Sequence, residues 1–439
     1  MISNITASTV YSVLGNNSSK VPLAIKDIAN SCGLTTASYM AGDNVEGKDR
    51  FIDEFGTQAI WLWGIPAYQK VLDLTLFKSA GLDPKVDSRI LIDPKILKAA
   101  QDLAPTEAIK NSLKKVSLNQ GKFKTLSLIK FAASTILTSV TYLGLTKYRH
   151  KYTENQIKKD YFEKQKNKQI LNKNKSSQQV PFSSAFSQVH NNKKDSKNKQ
   201  VSFTGGFEDF IFDPVKNLMI VDASITGERL THARNPQDFL GYVIKEGSFW
   251  AFMYLAGPLI AKALEANAEK KHNKSIDLDA RVIESEDFKN AFKDGSIKRH
   301  LKAFKNADKS DLAMYKFAVL SKDNLIIDMA KKSDIIELFK GSDKVDTRRY
   351  INLNDLRGVA QKVEKLLGQY EKSGENLDDF FKAVRKLKRA SVIKNIGACI
   401  GALGVVAPAI MLMMRKMNPE YQVKKDIEKQ LNKSMEIQP

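Results

Sequence analysis

The residues best placed to do chemistry recur as a pair. Asp87 and Arg89 stand two apart, and Asp279 and Arg281 repeat that spacing 192 residues later. A carboxylate and a guanidinium held together can grip a ligand of mixed charge. The commoner use of such a pair is a surface ion pair worth ~0–1 kcal/mol, or a carboxylate capping a helix start. The five histidines, His150, His190, His232, His272 and His300, are far apart, and each reads as a solvated surface residue. No phosphate-cradling Gly-x-x-x-x-Gly-Lys-Ser/Thr loop, His-Glu-x-x-His pair, paired-cysteine zinc motif or Gly-x-Ser-x-Gly elbow occurs in the sequence. The expectation is therefore no catalytic residue, no cofactor and no metal, and a role that is not enzymatic.

The elements that would position any site are apolar segments. Asn395–Met414 reads NIGACIGALGVVAPAIMLMM, twenty residues without a charge, closed by Lys394 and by Arg415–Lys416. A helix of that length matches a hydrocarbon core of ~30 Å. Within it Gly397 and Gly401 are four apart, as are Ala398 and Ala402, with Gly404 beyond. Small residues at that spacing let helix backbones approach closely in lipid. The earlier run Phe131–Thr146, with its small Ala133, Ser134 and Thr138, is the partner the sequence offers. At sixteen uncharged residues this run is marginal as a span.

Two shorter segments carry all three tryptophans. Thr57–Tyr68 holds Trp61 and Trp63, and Ser248–Ala261 holds Trp250 and Tyr254. Gly64 and Pro66 in the first, and Gly257–Pro258 in the second, predict a break or kink. Aromatic rings of this kind concentrate at membrane interfaces, which makes the segments interfacial or re-entrant; equally, they are of a length for buried core helices.

These segments come in two rounds. At a shift of 192, Pro66, Lys70, Leu72, Asp87 and Arg89 meet Pro258, Lys262, Leu264, Asp279 and Arg281. At a shift of 264, Lys122, Lys124, Ser127, Ile129 and Lys130 meet Lys386, Lys388, Ser391, Ile393 and Lys394. The plan that follows is a polar segment over 1–30, a first helical unit over 31–168, a basic low-complexity linker over 169–206, and a second unit over 207–439. A charged insertion at about 284–348 accounts for the growth of the shift. The fold class expected is mainly α: two related helical units, each with a short kinked aromatic segment and a longer apolar helix able to cross a bilayer.

The net charge is +21, yet only 13 of the 70 basic residues are arginine. Lysine acts as a point charge where arginine offers a planar fork, so the balance favours anionic lipid over sequence-specific nucleic acid. A protein partner or self-association is compatible with the same surface. The two cysteines, Cys32 and Cys399, suit a reducing compartment. The N-terminus lacks the charged and apolar regions of a secretory signal.

Asp49–Trp63, the Val201–Gly206 tag and the two-round plan resemble uncharacterised bacterial proteins. That resemblance carries no catalytic residue with it; the longer apolar segments suggest a place in a bacterial inner membrane or at its cytoplasmic face. The leading expectation is a membrane-associated scaffold or interaction protein. A small transporter or channel built from the duplicated segments is the alternative, with Lys130 and Lys394 as the polar groups at the segment edges. A soluble α-helical protein that buries all four segments is the third.

Overall fold

The computed structural model describes residues 7–15, 20–41, 44–173, 213–417 and 423–436. They form sixteen helices, with no strand among the described residues and one isolated antiparallel bridge between Leu338 and Val345. The fold is mainly α, as the periodicity predicts. Most of the basic linker and the Val201–Gly206 tag lie outside the described residues.

The chain opens with α1 (Ala7–Gly15), α2 (Lys20–Ala41) and α3 (44–77). Next come α4 (Pro94–Asp102), α5 (Glu107–Leu118) and the long α6 (Gln120–Lys173). Then follow α7 (Pro214–Thr231), α8 (236–272), α9 (Ala280–Ile283), α10 (Glu286–Lys293) and α11 (Ser296–Ala307). The chain closes with α12 (Asp311–Leu320), α13 (Leu325–Lys332), α14 (Leu353–Ser373), α15 (377–417) and α16 (Val423–Glu436).

Local chemistry sets the helix starts. Asp93 caps α4 by accepting from the Lys95 and Ile96 N–H groups, with Pro94 at the first helical position. Asn235 does the same for α8, accepting from the Asp238 N–H at 2.8 Å ahead of Pro236. Each pairs a side-chain acceptor for orphan donors with a proline that has no donor to lose.

The breaks expected at Gly64–Pro66 and Gly257–Pro258 are not breaks. α3 and α8 run on through π-turns at Ile60–Gly64 and Ala251–Leu255, and α15 does so at Ala402–Val406. Pro66, Pro258 and Pro408 each follow such a turn within three residues. A proline has no N–H and clashes with the carbonyl four residues back; a widened turn accommodates both defects while the helix continues.

Two apolar cores result. The larger draws on α4, α5 and α10–α14 with the flanks of α6 and α15. Val86, Leu113, Phe288, Ile326, Leu356 and Phe380 are all buried in it. On α14 apolar residues recur at helical spacing, and Leu356, Val359, Val363 and Leu366 point into this core. The smaller core lies in a bundle of α2, α3, α6, α7 and α8, where Leu23, Trp61, Tyr142, Val221 and Phe249 meet. In that bundle α2 packs on α3 and on the 402–417 part of α15, while α7 packs on α6. The 65–72 part of α3 rests on α6, and the 256–272 part of α8 rests on α15.

α6 and α15 are each long and apolar enough to cross a membrane. Their outer faces leave large apolar side chains uncovered: Ile136 and Val140 on α6, and Val405, Ile410 and Met413 on α15.

Candidate functional site

The bundle is organised around charge, and α3 supplies most of it. Asp49, Arg50, Asp53, Glu54 and Thr57 recur at helical spacing, so they share one face of α3. All five are buried, whereas Phe51 on the other side is half exposed. α8 repeats the arrangement: Asp238, Tyr242, Lys245 and Glu246 point inward while Phe239, Leu240 and Val243 are exposed. Both helices turn their charged face to the protein and their apolar face outward.

Asp53 is the hub. Its carboxylate is 3.1 Å from Arg149 Nη1, 3.3 Å from Arg229 Nη2, 3.5 Å from Arg50 Nη1 and 3.7 Å from Lys245 Nζ. The Tyr142 hydroxyl donates to it at 3.3 Å. Around the hub, Lys245 Nζ lies 2.7 Å from Glu54, and Arg229 Nη1 lies 2.6 Å from Glu246. Arg234 bridges Asp49 at 3.0 Å and Asp238 at 3.2 Å. Tyr142 accepts from Arg229 Nε at 2.7 Å, and Tyr242 accepts from Arg149 Nη2 at 2.9 Å. Five cations (Arg50, Arg149, Arg229, Arg234 and Lys245) thus meet five carboxylates (Asp49, Asp53, Glu54, Asp238 and Glu246). The charges balance, which is the condition for burying them at all.

Asp49 sits at one end of the network, beyond the apolar run of α6. Burial alone would raise its carboxyl, but Arg234, Arg149 and the Thr153 hydroxyl outweigh that and hold it at about 2. A folded value below the unfolded one means that Asp49 stabilises the protein above about pH 4. That stabilisation is lost as the pH falls through about 2. Asp49→Asn should therefore flatten the acid limb of a stability–pH curve in detergent between about pH 4 and 2, by about 2 kcal/mol. An unchanged acid limb would show that Asp49 does not carry it.

Deeper in the bundle, two further carboxylates meet aromatic donors. Trp61 Nε1–H donates to Asp27 at 2.8 Å, and the Tyr254 hydroxyl donates to Asp222. The same two segments make a second matching pair of contacts: Gln58 Nε2 donates to Ser31 at 2.6 Å, and Trp250 Nε1 donates to Thr226 at 3.0 Å. No family model, curated protein or solved structure matches the chain. The resemblance noted in the sequence thus brings no family of known activity, and the geometry has to speak for the site.

The residues singled out in the sequence fall in different places. Trp61 is buried and Trp250 half-buried, while Trp63 is 70% exposed. Asp87 caps a 3-10 turn, accepting from the Arg89 N–H, and the Arg89 guanidinium folds back on it at 2.7 Å. Asp279 caps α9 in the same way, with Arg281 also reaching Asp334 at 2.9 Å. A third copy, Asp346 and Arg348, escapes the repeat comparison; there Arg348 Nη2 is 2.9 Å from Asp346 and Nη1 is 2.9 Å from Asp83. This spacing makes a self-closed turn at the rim of the larger core.

A Cβ added to Gly397 or Gly401 would meet nothing within 4 Å. Ala398 is exposed and Ala402 half-buried. Gly404 does make a close approach, to Ala29 of α2 rather than to α6. Lys130 Nζ pairs with Asp73 at 2.6 Å, and Lys394 is exposed, so neither reaches the buried network. Cys32 is exposed and Cys399 buried, and both are free thiols.

Proposed function

We propose that the chain is an integral membrane protein of two related helical units that moves a small charged solute across the bilayer, with its site at the unit interface. One observation carries this reading: a charge-balanced, fully ion-paired network lies inside a bundle whose outer face is apolar. In water that arrangement hides what water solvates best and exposes what it solvates worst. In lipid it is the expected one, since ionisable residues in a bilayer face the bundle interior, pair with one another and mark ion or proton pathways.

The duplication is supported by matched interior positions. Arg50, Asp53 and Glu54 stand 192 residues before Tyr242, Lys245 and Glu246, and Asp27 and Ser31 stand 195 before Asp222 and Thr226. Gly-Pro positions and π-turns at corresponding places in the two halves of a repeated chain are where a transporter's site is sought first. Here α3 and α8 carry them, and Asp27 and Asp222 are tied to their π-turns. The packing swaps between units, with α2 on α15 and α7 on α6, so the halves interlock.

A second reading, a membrane-anchored scaffold, draws on the larger core, whose helices α10–α14 stand apart from the buried charges and could serve as a docking module. Anionic lipid suits the lysine-rich surface under either reading.

The test is a membrane fraction washed with alkaline carbonate, combined with cysteine accessibility in a variant lacking Cys32 and Cys399. Val405→Cys and Ile136→Cys should stay in the pellet, react with a lipid-soluble maleimide and resist a water-soluble one. Release of the protein into the supernatant, or ready labelling by the water-soluble reagent, would make the bundle a soluble core and end the transport reading.

A further inference from the structure

Two buried carboxylates stand outside the balanced network. Asp27 and Asp222 are both buried, and neither has an ion pair among the described residues. They line one cavity of about 20 Å³, enough for a single water. Asn30, 1% exposed, lines it too, and neither its amide nitrogen nor its amide oxygen has a hydrogen-bond partner. A buried amide left with nothing to bond is costly and calls for an occupant.

We propose that Asp27, Asn30 and Asp222 form an exchangeable proton site. Each aspartic acid holds a proton, and Asn30 holds the water through which the protons leave. On release, the carboxyl O–H bond breaks, the proton passes to that water, and the electron pair stays on the carboxylate. Trp61 and Tyr254 are positioning residues that orient the two carboxyls through their donated hydrogen bonds.

Two carboxylates in one water-sized cavity need about two positive charges to be tolerable. A metal ion is the other way to supply them. Against it stand the size of the cavity, which has room for one water and not for a hydrated ion, and the absence among the described residues of any cluster of three His, Cys, Asp or Glu able to hold a metal, whereas a proton bonded to a carboxyl needs neither. The charged groups facing the pair are Glu54 of α3, Arg229 of α7, and Lys245 and Glu246 of α8. The four are paired among themselves and with Asp53. Tyr254 faces Asp222, and α15 contributes no lining group. Lys26, next to Asp27, does not line the cavity and meets Cys399 instead.

The inference rests on the transport reading for its use, and on the cavity alone for its existence. The experiment therefore uses purified full-length protein in detergent, where no membrane is needed. Infrared difference spectra should contain a protonated-carboxyl C=O stretch that declines as the pH rises from about 5 to 9. Asp27→Asn and Asp222→Asn, which keep an acceptor for Trp61 and Tyr254, should each remove about half of it. Asn30→Ala should shift the midpoint.

The wild-type protein offers a second measurement that survives a misfolded variant. Dicyclohexylcarbodiimide adds the carboxyl O–H across its N=C bond, so mass spectrometry should find Asp27 and Asp222 labelled at low pH and spared at high pH. A band absent at every pH together with no labelling would overturn the site, as would a band that both Asn variants leave intact. Replacement of choline by sodium at constant pH should change nothing; loss of the band on adding sodium would make this a cation site. If the protein titrates as expected but is released by carbonate, the proton site stands and the transport reading falls.

Discussion

Asp53→Asn should be the most damaging single substitution in the chain, costing about 3–5 kcal/mol of stability. The amide keeps the shape of the carboxylate and removes its charge. What is left is a buried site with Arg149, Arg229, Arg50 and Lys245 all within 4.0 Å of a neutral group. Four cations then repel one another, and Glu54, Glu246 and Asp49 balance only part of their charge. The measurement is the thermal midpoint and the monodisperse fraction of the purified protein in detergent. Charge balance predicts a rescue: Asp53→Asn with Lys245→Met removes one charge of each sign and should recover a good part of the loss, despite the second substitution. If Asp53→Asn costs less than about 1 kcal/mol, or the double variant is worse than additive, the network is not held by charge complementarity. Asp87→Asn should cost less, because the buried Asp87 carboxylate faces a single guanidinium, and that Arg89 keeps part of its surface in solvent and also stacks 4.7 Å from the Tyr350 ring.

The sequence reveals the helices far better than it reveals their faces. The apolar runs of α6 and α15 are plain because sixteen and twenty residues without a charge exceed strand length and read as helix, in protein core or in lipid alike. The capped starts at Asp93 and Asn235 are plain because cap, proline and first turn are contiguous. The buried network is a different matter. Its α3 stripe is visible as charges at helical spacing, but a charged stripe in isolation reads as a solvated face. Its partners lie far along the chain, at Arg149, Arg229 and Lys245, and no local pattern announces that they converge on Asp53. One signal was available: the opposite faces of α3 and α8 carry Phe51 and Val243, and a helix that is charged on one side and aromatic or β-branched on the other need not put the charges outward. The glycines of α15 make the complementary point. Their spacing states that some backbone comes close, without stating which glycine or which partner. The third Asp-x-Arg turn, at Asp346, stands outside the repeat for a simpler reason: it lies in the charged insertion, which has no counterpart to align with.

Gly33→Ala should cost about 3 kcal/mol, while Gly397→Ala and Gly401→Ala, in the more conspicuous motif, should be neutral or slightly stabilising. The difference comes from what each new methyl would meet. At Gly33 of α2 it would lie 2.2 Å from the Gly404 carbonyl oxygen and 2.8 Å from Pro408 Cγ. Those are a backbone atom and a ring, neither of which can rotate aside. The contact falls on the Ala402–Val406 π-turn, so easing it means moving α2 away from α15 along the line where Leu403, Ala407 and Met411 are buried. At Gly404 the added carbon would be 3.0 Å from the Ala29 carbonyl oxygen, a milder clash, and the expected cost is about 1–2 kcal/mol. At Gly397 and Gly401 it would meet open space, leaving only the gain of up to about 1 kcal/mol from replacing glycine in a helix. Thermal unfolding of the four variants in one detergent decides the matter by rank order. Gly33 worst, Gly404 next and the other two harmless means that α2 is the helix on which the apolar part of α15 is seated. Damage at Gly397 and Gly401 instead would place the close approach on the other face of α15 and move its partner to a second copy of the chain. Because α2 also carries Asp27 and Asn30, the Gly33–Gly404 contact fixes the height at which those side chains meet Asp222, so Gly33→Ala should also displace the infrared titration, whereas Gly397→Ala should leave it in place.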